Sequence, residues 1–291
     1  MKKFLFPLVA LLLLAACSSS EDTINEPEPP KYKIDSTIAV GDLKLQAYIF
    51  EGDYYIEAID ESGNKVFTIN DRAEGYIEDL GFGETKEYPV RGCFLLSALN
   101  KNDHLYILVS LYASEAAHPH KFILKIREGK IVKKEYLDIY DPQIPYLHFY
   151  PEKIAEWYGE YIVTYSTLRT SNYFISVLDK DLNIIWKNLN GNAKELIKNI
   201  ETKSYISSSV NNVIYITYNT VVCLDISKYA YGTYLWQVPI TDEEIRVNKS
   251  TYSLDGDNVV VDVDATTKAG EKKKYHLVLN KATGELVNPQ S

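Results

Sequence analysis

The sequence predicts an all-β fold, a β-propeller of five four-stranded blades, on three observations. From Lys33 onward helical periodicity is almost absent. The chain is made instead of short β-branched and tyrosine-rich runs, with 24 Tyr against 9 Phe, and those runs are interrupted by Gly, Asn and Asp turn signals at spaced intervals. The clearest strand runs are 43–50, 54–60, 105–112, 122–127, 161–168, 173–179, 213–218, 259–263 and 275–280. One segment, 192–200, reads as a short capped helix.

The repeat is legible in the turns. Tight signals stand at Gly41-Asp42, Asn102-Asp103, Gly159-Glu160, Asn211-Asn212 and Gly256-Asp257, between 45 and 61 residues apart. Each follows one apolar run, such as 94–100 or 205–210, and precedes a strand, a second strand ending near an aspartate or its substitute, and a short third one. Four antiparallel strands in a repeat of about 40–50 residues is the signature of a propeller blade. A β-sandwich is the alternative, since the units are uneven in length.

Of 291 residues 46% are hydrophobic and 24% charged, enough to bury a core and too polar for a multi-pass membrane protein. Lys and Arg number 31 against 40 Asp and Glu, a net charge of −9 without a basic cluster. That balance excludes nucleic acid as a partner, because phosphate neutralisation needs clustered cations.

The first residues carry an address. Lys2 and Lys3 precede an apolar run over 4–14 that is too short to span a bilayer and suits a signal-peptide core. The box Leu14-Ala15-Ala16-Cys17 that ends it resembles the bacterial lipobox. The resemblance implies cleavage before Cys17 and lipidation of its sulfur, because a thiol accepts the lipid and small residues admit the peptidase. The expected organisation is a lipoprotein signal peptide over 1–16, the lipidated cysteine and a disordered tether over 17–32, and the propeller over 33–291. The tether is polar, with Glu21, Asp22, Glu26 and Glu28 among prolines. Acids a few residues after the lipidated cysteine are similar to the surface-export signal of Bacteroidota lipoproteins, which implies an outer-membrane anchor and exposure at the cell surface. A plain solvated linker is the alternative.

Several segments resemble the tryptophan-docking repeats of PQQ-type propellers. These are Val177-Leu178-Asp179 through Trp186, Cys223-Leu224-Asp225 through Trp236, Leu279-Asn280 through Thr283-Gly284, and Ala58-Ile59-Asp60 through Phe67 with Phe in the tryptophan place. The resemblance implies that the aspartate caps a hairpin turn while the ring wedges between neighbouring blades. The second unit, over 123–133, departs from it.

Residues able to carry chemistry are sparse. Cys93 and Cys223 lie on strands of different units and read as two buried thiols. His118 and His120, at spacing two, read as part of a hairpin loop in preference to a metal site. Glu156, Asp255 and Asp42, on or near first strands, are the candidates for a glycosidase-type acid pair, although most acids sit in turns. Trp157, Trp186 and Trp236 read as core. The most distinctive stretch is 140–151, where Tyr140, Tyr146, His148, Phe149 and Tyr150 crowd between prolines. Rings on stiff loops stack on sugars or anchor a protein, and they do so at small entropy cost. Burial of the same rings over the end of a blade is the alternative. The sequence thus predicts a non-enzymatic binding or scaffold propeller, without cofactor or metal, anchored by lipid to the outer membrane, with a protein or glycan as possible partner. A surface glycan-binding accessory protein or a five-bladed glycoside hydrolase is the alternative.

Overall fold

The computed structural model describes residues 32–81, 84–113, 120–137, 139–140, 148–149, 151–168, 173–188, 192–227 and 233–287. The account below concerns the unit Ile34–Ser291.

Five antiparallel meanders follow one another. Sheet 1 holds β1 (Ser36–Val40), β2 (Leu43–Phe50), β3 (Asp53–Ile59) and β4 (Lys65–Arg72). A hairpin of β5 (Tyr76–Gly81) and β6 (Glu84–Tyr88) leads to sheet 2, which holds β7 (Val90–Lys101), β8 (His104–Ala113), β9 (His120–Arg127) and β10 (Lys130–Tyr136). A second hairpin, β11 (Ile139–Tyr140) with β12 (His148–Phe149), precedes sheet 3: β13 (Lys153–Glu156), β14 (Ile162–Tyr165), β15 (Ile175–Leu178) and β16 (Ile184–Asn188). Then come α1 (Asn192–Glu201) and sheet 4: β17 (Tyr205–Ser207), β18 (Asn212–Thr217), β19 (Thr220–Asp225) and β20 (Thr233–Pro239). Sheet 5 holds β21 (Ile245–Asp255), β22 (Asn258–Thr267) and β23 (Lys272–Asn280).

In every sheet the strand order is the chain order, a meander without the crossovers of a Greek-key sandwich. All five predicted turn signals lie between, or at the edge of, the first and second strands of a sheet. The uneven spacing has a structural cause. The two longest intervals contain the inserted hairpins and the third contains α1, whereas the shortest, from Asn211 to Gly256, has no insertion. Sheet 5 departs from the expected four strands. After β23 the chain turns at Gly284, and the hydrogen bonds Asn280 N–H to Glu285 O and Val287 N–H to Val278 O begin a fourth strand at the end of the described residues.

Period-two alternation explains how the sheets stack. On β8, Ile107 and Val109 enter a core shared with Leu45, Ile56 and Ala58 of sheet 1, while Tyr106 and Leu108 meet Ile162 and Leu178 of sheet 3. On β18, Val213 and Tyr215 pack with Val163, Val177 and Leu196 toward sheet 3 and α1, while Ile214 and Ile216 pack with Val259, Val261 and Val263 of sheet 5. Each middle sheet is therefore buried on both faces, which is why its central strands read as continuous apolar runs. Among the described residues none of these cores joins sheet 5 to sheet 1, and no strand of one pairs with the other.

Rings lock the stack at its periphery. Phe67 of β4 lies against Gly129 in the β9–β10 turn, and Trp236 of β20 covers Gly284 beyond β23 while its indole N–H donates to Lys281 O at 3.1 Å. Each ring thus packs across the seam between two neighbouring sheets. Cys93 and Cys223 are buried free thiols, each pushed up to about 12, by burial first and then by Asp35 and Asp225 respectively.

A cation ties sheets 1 and 2. Lys134 of β10 sits 2.9 Å from Asp71 of β4 and lies over the rings of Phe122, Tyr136 and Tyr54 at 4.7, 5.2 and 5.3 Å. Burial alone would lower the Lys134 pKa, but hydrogen bonding to Asp71 and Tyr136 carries it above its ordinary value. Burial likewise works to raise the Asp71 pKa, and the hydrogen bond from Lys134 brings it below its ordinary value. The lysine side chain is 17% exposed, so the cation–π contribution is about 1–2 kcal/mol. The sign of each shift sets the pH window. The Asp71 contribution is present above its unfolded pKa of about 3.9 and fades as pH falls through the folded value; the Lys134 contribution is present below about 10.4 and fades as pH rises through the folded value. Urea titrations should therefore show Lys134→Met less stable than the parent by about 1 kcal/mol near neutrality. The gap should narrow in strong acid and in strong base, and a gap constant with pH would remove the clamp.

Candidate functional site

The first strands of sheets 2, 3 and 4 wall a cavity of about 680 Å³. Ala98 and Leu99 of β7 form one side, and Ile154 to Gly159 on and after β13 form the floor and rim. Tyr165, the end of α1 and Tyr205 to Ser207 of β17 complete it. This is where a propeller brings its innermost strands together.

The walls are held from several directions. Trp157 is buried, its indole N–H donates to Val210 O at 2.9 Å, and its ring stacks on Tyr205 with centroids 5.7 Å apart. The Tyr205 hydroxyl donates to Glu156 O at 2.6 Å. Behind them Lys101 donates to Trp157 O and Tyr161 O, both at 2.8 Å, fastening the β13–β14 turn. That turn needs Gly159, at φ 55°, to reverse the chain within three residues. At the mouth stand Tyr158, 41% exposed, and the exposed Glu156, Glu201 and Lys203. The hydroxyl of Ser207 on the wall is buried without a hydrogen-bond partner among the described residues.

The electrostatics fit a ring-lined recess with acids at its edge. Burial, then Tyr165 and Glu156, push the Tyr205 phenol well above its ordinary range. Tyr165 is pushed up to about 12 by burial and then by Glu201. Burial lowers the Lys101 pKa, with Glu156 opposing. Both phenols stay protonated at any physiological pH, and Tyr205 commits its hydroxyl to Glu156 O and its ring to Trp157.

Of the three acids expected on first strands, Glu156 lines this cavity; Asp42 sits exposed in the β1–β2 turn and Asp255 exposed at the end of β21, and neither lines it. The second acid at the mouth is Glu201, which sequence reasoning missed because only the closure of α1 against β17 brings it there. Trp157, read as core, is both buried and a cavity wall. In the aromatic stretch, Tyr140 pairs with His148 and Ile139 with Phe149 in the short hairpin. Tyr146 and Tyr150, the side chains of Tyr140, His148 and Phe149, and Cys17 lie outside the described residues, as does His118. His120 begins β9, where its ring meets Tyr136 edge-on. Among the described residues no group of three or more His, Cys, Asp or Glu is arranged to hold a metal ion.

A family model for the prokaryotic membrane lipoprotein lipid attachment site matches residues 1–18. No curated protein matches the chain. Solved structures similar to it include a subtype N10 neuraminidase-like protein of A/little yellow-shouldered bat/Guatemala, 12% identical over 83% of this chain and 79% of that one, with a TM-score of 0.36. The periplasmic gluconolactonase of Pseudomonas aeruginosa is 8% identical over 88% and 84%, with a TM-score of 0.32. The WD40 domain of Toxoplasma gondii coronin is 9% identical over 88% and 58%, with a TM-score of 0.33. Likeness at this level carries no argument about activity. With a lipid attachment site at its start and five stacked meander sheets behind it, the chain is a membrane-anchored lipoprotein with a β-propeller fold.

Proposed function

We propose that this protein is a non-enzymatic binding module, held at the outer membrane by lipid on Cys17, that takes a saccharide into the cavity between β7, β13 and β17. The observation that carries the reading is the set of fixed rings. Trp157 and Tyr205 are held by stacking and hydrogen bonds before any ligand arrives, so little conformational freedom is lost on binding. Rings of this kind cover the apolar faces of sugars, and Glu156, Glu201 and the orphan Ser207 hydroxyl match sugar hydroxyls.

Titration with maltohexaose, xylohexaose and mannohexaose tests it, read through tryptophan fluorescence. At least one sugar should perturb the signal, and Trp157→Phe should abolish the change. Tyr158→Ala should weaken binding about tenfold without moving Tm, since its ring is exposed. No response to any saccharide would remove the reading. The pair Glu156 and Glu201 at one mouth favours a second reading, a glycoside hydrolase, in which two carboxylates act on one bond. Reducing-end release that disappears in Glu201→Gln would transfer the case to it.

A further inference from the structure

A second groove, of about 750 Å³, lies between the end of α1, the β18–β19 turn and the first half of β21, and shares no lining residue with the cavity described above. Its rim carries Tyr218, which is 89% exposed and sits at φ 56°. A bulky residue in the left-handed region is strained, and such strain persists only where something compensates it. In the matching two-residue turn of sheet 1 the place of Tyr218 is held by the smaller, exposed Glu51 at φ 51°, followed by Gly52, and the sheet 5 turn contains Gly270 at positive φ. Leu182 is also left-handed, but it is fully buried in the core between sheets 2 and 3, so packing compensates it. Tyr218 has no such compensation among the described residues: its ring makes no hydrogen bond, ring contact or ion pair.

We infer that Tyr218 is the stacking platform of a polysaccharide-binding site in this groove. The chemistry of the floor selects that ligand over a protein. Asn199, Thr202, Asn219 and Asn248 line it; each already hydrogen-bonds within the chain, yet their amides and hydroxyls keep further donor or acceptor capacity of the kind sugar hydroxyls require, and Arg246, which makes no ion pair among the described residues, adds a guanidinium fork. A protein partner would need a broad apolar centre, and the groove offers only Ile216, Ile245 and Val247. A ring on a two-residue turn is stiff, so its stacking face is presented at low entropy cost. The site stands on its own observation, and the cavity variant Tyr158→Ala leaves it intact.

Full-length lipidated protein in detergent micelles is run through native gels containing soluble starch, xylan, galactomannan or polygalacturonate. Retardation is expected in at least one gel. Tyr218→Gly should weaken it about tenfold or more while raising Tm, because glycine relieves the strained turn, and Tyr218→Trp should preserve it. A structural role for the ring predicts the opposite thermal shift. Retardation unchanged in Tyr218→Gly, a lowered Tm in that variant, or no retardation of the parent in any gel would overturn the assignment.

Discussion

Gly284→Ala is expected to destabilise the propeller by about 2–4 kcal/mol, because among the described glycines its added carbon would make the tightest contact. Two costs combine. Gly284 sits at φ 74°, where an L side chain adds about 1 kcal/mol of backbone strain. The added carbon would also lie 2.7 Å from the Trp236 ring, so the indole must move. Trp236 is buried against the seam of sheets 4 and 5, and its N–H bond to Lys281 O would go with the shift. Gly63→Ala separates the two costs, because Gly63 has φ 84° with nothing within 4 Å of the added carbon. It should lose only the strain, about 1 kcal/mol. Urea denaturation of both variants measures the difference, which is the worth of the wedge. Equal losses would mean that the Trp236 contact locks nothing.

The wedge also shows which parts of the architecture sequence could deliver. Thr283-Gly284 and Trp236 stand 47 residues apart, yet the pattern of an aspartate or asparagine, a turn and a ring marks both sides of the seam. The five meanders were legible for the same reason: hairpin registers depend on local turn chemistry, and Gly41, Asn102, Gly159 and Gly256 all adopt the positive φ their types suit. The inserted hairpins β5–β6 and β11–β12 were not, because two short strands leave no periodic core face to detect. The site was half legible. Glu156 could be placed on a first strand by counting from Gly159, whereas Glu201 reaches the same mouth only through the packing of Leu196, Ile197 and Ile200 of α1 on sheets 3 and 4. That helix is amphipathic, but nothing in its sequence says which residues its last turn will face. Tyr218 was read as the end of a strand, and what sets it apart from the other described tyrosines, its positive φ and its exposure, belongs to the folded turn and not to the sequence.

Removal of the Cys17 thiol is expected to have an all-or-none effect on location while leaving the propeller untouched. The attachment-site match covers residues 1–18, so the anchor and the folded sheets, which begin at Ser36, occupy separate stretches of chain. Each buried acyl CH₂ contributes about 0.8 kcal/mol to membrane binding, and two chains on one sulfur make release negligible. No helix among the described residues is long and apolar enough to cross a membrane in the lipid's place. The expected result for Cys17→Ala is loss of metabolic palmitate labelling. With the leader also exchanged for a cleavable secretory one that carries no cysteine, the protein should move from the carbonate-washed membrane pellet to the soluble fraction. Its urea midpoint should match that of the lipidated parent in detergent, because the lipid contributes to location and not to the cores between sheets. Membrane retention of the folded, label-free variant would show that the propeller itself holds the bilayer or a partner in it, and the anchor would then be secondary to a surface on the sheets.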